Sequence, residues 1–138
     1  MATVLGGQNT RRIKMALVHD LAEVIVGDIT PDDNEPEAEK HRREARAMNE
    51  ICQINANGTS DSALQEILEL WQEYDRGETP DAKFVKDLDK LEMLLTANEY
   101  EQEQNLDLQE FFDSTEGKWR TEEIQALAEL LVKQRAQP

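Results

Sequence analysis

The sequence predicts an all-α protein, a compact helical bundle of about five to six helices, and three observations carry that expectation. Long stretches are drawn from Ala, Leu, Glu, Lys and Gln, and only six Gly and four Pro interrupt 138 residues. Apolar residues recur at helical intervals, as in Phe84, Leu88, Leu91 and Leu95. Helix-boundary chemistry is present as well, since Thr79 before Pro80 sets a capping hydroxyl ahead of proline at a first helical position. With 38% hydrophobic content, one domain over residues 1–138 with one core is the expectation.

The first ten residues hold Gly6-Gly7 and no strong periodicity, and read as a helix end or a loop leading into a helix near Thr10. From Ile13 to Val26 the uncharged side chains are apolar and fall nearly all round a helix, which predicts a buried element. His19, Asp20 and Glu23 share one sector of it, because offsets of one, three and four residues keep side chains close. Gly27 is expected to end the helix, with Asp28 at its exit. Carboxylates buried in such a helix cost several kcal/mol each unless paired. A bound cation removes that cost while leaving them ionised. A His–carboxylate network tied to Arg or Lys of a neighbouring helix does so too, and spacing does not separate the two.

Pro31 to Pro36 reads as a loop, and Glu37 to Glu44 as helix with charges on most faces, so His41 is expected on a solvated surface. Asn55 to Asp61, with Asn57-Gly58, is a polar break. The helix after it turns Leu64, Ile67, Leu68, Leu70 and Trp71 inward, with Trp71 and Tyr74 as packing residues. A longer helix runs from Pro80 to about Gln102 with Phe84, Leu88, Leu91 and Leu95 as its apolar stripe. Asp89 sits on the flank of that stripe, placed to reach a metal or to pair with Lys86 or Lys90. Leu106 to Thr115 is a short amphipathic segment with Phe111 and Phe112, and Gly117-Lys118-Trp119 is a turn. Thr121 opens a last helix with Ile124, Leu127, Leu130 and Leu131 inward.

Bulk properties narrow the function classes. The single Cys52 excludes an intramolecular disulfide and a multi-cysteine zinc site. No apolar run approaches the ~20 residues of a membrane span, so a soluble protein of the cytoplasm or another intracellular space is expected. A net charge of −15 argues against long nucleic acid, whose affinity comes from Lys and Arg on phosphates. The same field repels any anionic substrate, and a metal site reverses its sign locally.

His19-Asp20-x-x-Glu23-x-x-x-Gly27-Asp28-Ile29-Thr30-Pro31 resembles the core signature of the HD-domain metal-dependent phosphohydrolases, and more narrowly their 5′-deoxynucleotidase branch. The likeness continues through Glu39–Glu44, Glu69–Tyr74, Lys83–Met93, Glu99–Glu101 and Phe111–Thr115, covering nearly the whole chain from Arg11 onward. It implies an HD-type bundle in which His19, Asp20 and Asp89 hold a first divalent cation. Glu23, Asp28 and the carbonyl of Ile29 would hold a second, with Glu23 alternatively deprotonating water and Asp28 protonating the departing 5′ oxygen. Mixed nitrogen and oxygen ligation suits Mn, Co, Fe, Ni or Mg, with Zn also admissible. The implied substrates are deoxyribonucleoside 5′-monophosphates, and the implied assembly is a homodimer. The family also uses a histidine and a phosphate-binding arginine from an earlier helix. Here the only other histidine, His41, lies downstream, so the chain reads as lacking its first helices. Two other readings stay open: a metal- or nucleotide-binding protein with little or no turnover, and an HD hydrolase of another nucleotide class.

Overall fold

Thr79 and Pro80 start a helix as their chemistry requires. Thr79 is extended, at φ −78° and ψ 157°, and its hydroxyl accepts the Ala82 N–H at 3.1 Å, while Pro80 takes the first helical position. The computed structural model describes residues 8–29, 36–55 and 62–137, and six helices are found among them. They are α1 (Gln8–Ile29), α2 (Glu37–Asn55), α3 (Ser62–Arg76), α4 (Pro80–Gln104), α5 (Gln109–Thr115) and α6 (Glu122–Ala136). The all-α expectation holds, and no strand occurs among the described residues. The loop at Pro31 and the turn at Asn57-Gly58 lie outside them. The chain divides into two compact units, Met1–Arg76 and Gly77–Pro138.

In the first unit α1 packs on α2 and α3, which also pack on each other. Met15, Val18, Ala22 and Val26 of α1 are buried, as are Met48 and Cys52 of α2 and Leu68, Leu70 and Trp71 of α3. Burial pushes the Cys52 thiol up from its ordinary value, which keeps it protonated. Lys14 pairs with Glu66 at 2.9 Å, and Arg11 Nε donates to Glu73 at 3.1 Å, fastening α1 to α3 along the solvated edge.

Two expectations for α1 are corrected. It is not buried all round: Ile13, Leu17, Leu21 and Val24 are between 51% and 66% exposed. These four residues follow 4, 4 and 3 apart on the side away from the buried set, so α2 and α3 cover only one of two apolar faces. Nor does Gly27 end the helix, which continues to Ile29. Glycine permits the left-handed turn of a cap without imposing it.

In the second unit Leu91, Leu94 and Ala97 of α4 meet Phe112 of α5 and Ile124, Ala128 and Leu131 of α6, with Phe84, Met93, Leu108 and Trp119 packed around them. The stripe expected for α4 is rotated. Leu88 and Leu95 are exposed, and the helix buries Val85, Asp87 and Leu94 instead. In α6, Leu127 and Leu130 are exposed where an inward position was expected, and Ala128 takes their place. Both corrections follow from polar anchors that set the rotation of these helices.

The first anchor is Asp87, fully buried. Its Oδ2 accepts the backbone N–H groups of Arg120 and Thr121 at 2.9 and 2.8 Å and the Thr121 hydroxyl at 2.8 Å. Thr121 is the residue before α6, so the carboxylate sits against the positive end of that helix. The second anchor is Arg135, whose guanidinium grips Glu101 through two 2.7 Å bonds and lies 4.1 Å over the Phe112 ring. Glu101 also accepts the Leu108 N–H at 2.7 Å, so one carboxylate joins α4, the start of α5 and the last turn of α6. Between them, Asn105 closes α4 with φ 52° and Gly117 makes its turn with φ 75°.

Candidate metal centre

Helical spacing delivers His19 to the buried face of α1, four residues after Met15 and three before Ala22, leaving it only 4% exposed. Its Nδ1 stands 3.0 Å from the Ala16 carbonyl. A carbonyl only accepts, so Nδ1 carries the proton and a neutral ring keeps its lone pair on Nε2. Nε2 lies 3.9 Å from Oε1 of Glu23, one helical turn on. Asp20 approaches the other nitrogen, with Oδ1 3.5 Å from Nδ1. The ring packs against Tyr74 of α3, centroids 4.5 Å apart and planes inclined 36°.

The premise of buried carboxylates is corrected here. Asp20 and Glu23 have side chains 63% and 68% exposed and bear no large desolvation cost. The low-dielectric partner is His19, and hydrated carboxylates stand at its edge. Of the residues drawn together by spacing, Glu23 takes the lone-pair side of the ring and Asp20 the protonated side.

Asp28 and Ile29 belong to the end of α1, and their side chains lie outside the described residues. Asp89 is half-buried on α4 in the second unit. Its neighbour Asp87 is committed to the start of α6, and Lys90 Nζ turns to Asp87 at 3.6 Å and to the Lys118 carbonyl at 2.9 Å. Asp87, the other acid of this segment, is thus taken up by the start of α6. His41 is exposed and pairs with Asp75 at 3.1 Å, on the solvated surface expected of it.

Two contributions escaped the sequence. The burial of Asp87 depends on Arg120 and Thr121, more than thirty residues away, and no local pattern signals it. Tyr74 reads as a packing residue and does pack, but its target is the imidazole. An aromatic at helical spacing from Trp71 signals burial, not what it is buried against.

An imidazole with its tautomer fixed by a backbone carbonyl, next to solvated carboxylates on the same turn, offers nitrogen and oxygen donors of the kind a divalent cation takes. The chain matches the HD domain family over residues 2–129, and it belongs to that family. It is similar to 5′-deoxynucleotidase HDDC2 of Danio rerio, with 50% identity over 129 residues, which are 91% of this chain and 62% of that protein. HDDC2 of Homo sapiens is 47% identical over 91% of this chain and 61% of its own length. 5′-Deoxynucleotidase YGK1 of Saccharomyces cerevisiae is 40% identical over 89% and 58% respectively. Among solved structures, HD domain-containing protein YGK1 superposes with a TM-score of 0.70 at 32% identity, covering 91% of this chain and 64% of that one. The chain thus spans about three-fifths of the length of the curated relatives it matches. HD-domain membership implies a divalent cation, and the nitrogen of His19 with the carboxylates beside it is chemistry that suits one. No described helix is long and apolar enough to cross a membrane.

Proposed function

We propose that this protein is a metal-dependent 5′-deoxynucleotidase that hydrolyses deoxyribonucleoside 5′-monophosphates to a deoxynucleoside and phosphate. The observation that carries the reading is the His19 imidazole, with Nδ1 held by the Ala16 carbonyl and Nε2 turned to Glu23, in a chain half identical to proteins of that activity. His19, Asp20 and Asp89 are assigned to a first cation, and Glu23, Asp28 and the Ile29 carbonyl to a second. Mn, Co, Mg, Fe, Ni and Zn all remain compatible with these donors. When bound, the metal neutralises charge on the phosphoryl oxygens and acidifies water.

The chain's own groups handle the protons. Glu23 is solvated, which suits it to orient the attacking water or to take its proton as the new P–O bond forms. Asp28, where it is protonated instead of holding the second cation, is the group assigned to give its proton to the 5′ oxygen as the old P–O bond breaks. The buried His19 does not need to ionise in this scheme. Residues 1–138 are read as one HD-type domain. A homodimer is part of the reading, supported by the apolar outer face of α1, and light scattering tests it.

Phosphate release from the four deoxyribonucleoside monophosphates, with Mn or Co added, tests the activity. Asp89→Asn should weaken metal binding roughly tenfold or more while helicity by circular dichroism is kept, because charge is removed without volume. Equal metal binding by wild type and variant would remove Asp89 from the ligand set. Metal binding without phosphate release, at any metal concentration, would leave a cation-binding protein in place of an enzyme.

A further inference from the structure

Tyr74 stands apart among the residues of α3. Its neighbours face the core or pair with charges, as Trp71 and Glu73 do, whereas its ring lies against an imidazole. We propose that Tyr74 is a positioning residue for the metal-binding histidine, holding the His19 ring in the orientation that keeps Nδ1 on the Ala16 carbonyl and presents Nε2 to a cation. The proposal rests on His19 being a cation ligand, as assigned above.

A histidine ring has two torsions to fix. The Nδ1 bond to Ala16, 3.0 Å, restrains one edge of the ring but permits rocking about that bond. Contact on the ring face is what stops rocking, and Tyr74 supplies it at 4.5 Å with a 36° inclination. The restraint comes from a different helix, so it ties the site in α1 to the α1–α3 packing that Lys14–Glu66 and Arg11–Glu73 also fasten. An aromatic face has a further effect. A metal-bound imidazole carries more positive charge than a free one, and an electron-rich ring nearby favours the bound form. Groups that hydrogen-bond a metal-ligating histidine govern affinity by about 10–100-fold through its orientation, and a ring-face contact acts on that same orientation.

The distinguishing prediction is that the aromatic ring face carries the effect on metal binding. Co(II) alone is titrated into the purified full chain, read by calorimetry and by the visible absorbance of the bound ion. Tyr74→Phe should bind within about twofold of wild type, whereas Tyr74→Leu and Tyr74→Met should bind roughly tenfold more weakly at unchanged helicity. Methionine, flexible and able to fill the space, keeps the test available if the leucine variant fails to fold. His19→Ala separates the two ideas. If His19→Ala weakens binding but Tyr74→Leu or Tyr74→Met does not, the positioning role is overturned and the metal site stands. Should His19→Ala bind Co(II) as wild type does, the ligand assignment fails and the positioning role falls with it.

Discussion

At the scale of single residues, Glu101 shows how much one carboxylate can organise. The Arg135 guanidinium, aided by the Leu108 N–H, holds its pKa down at about 2 from an ordinary 4.5. A carboxylate with a depressed folded value adds stability above its unfolded value and loses it as pH falls through the folded one. The second unit should therefore lose thermal stability as pH drops from 4.5 towards 2, and Glu101→Gln should flatten that part of the profile. Melting curves across that range check both, and parallel profiles would deny the clasp its role. Asp87 and Glu101 also mark where residue-level reading runs out. His19, Glu23 and their shared turn could be seen in the sequence because helical spacing is local. The backbone donors that reach Asp87 lie 33 and 34 residues away, the carboxylate that accepts from Arg135 lies 34 away, and only the fold brings them together.

Helices were legible in existence and extent, and less so in rotation. Thr79-Pro80 announced α4, and it begins there with the capping bond made. Yet the choice of Leu88 and Leu95 as its inward side chains followed the largest apolar residues, which a polar anchor overrode. A helix rotates to satisfy a buried carboxylate before it rotates to bury one more leucine, since an unsatisfied charge costs more than an exposed side chain. Paired substitutions measure this. Leu94→Ala should destabilise by about 2–5 kcal/mol, as buried truncations do. Leu95→Ala, on the exposed face, should stay within about 0.5 kcal/mol of wild type. Denaturant unfolding decides, and equal losses would return the helix to the rotation its leucines suggested.

For the whole molecule the governing quantity is charge. At −15 the chain repels the dianionic substrates proposed for it, and attraction is confined to the neighbourhood of a bound cation. Added monovalent salt, which screens the long-range field, should raise kcat/KM for a deoxyribonucleoside monophosphate from its low-salt value. A steady decline with salt would mean that local attraction dominates instead. The fold class was fully legible at this scale, whereas the division at Arg76 and Gly77 was not, because no change of composition marks it. The long reach of the two clasps has a further consequence during synthesis. Helix α4 leaves the ribosome with Asp87 and Glu101 still hydrated, because the groups that donate to them lie 34 residues further along the chain and have yet to emerge. The three N-terminal helices, closing on contacts among themselves, can settle while their C-terminal counterpart is still waiting for its last segment.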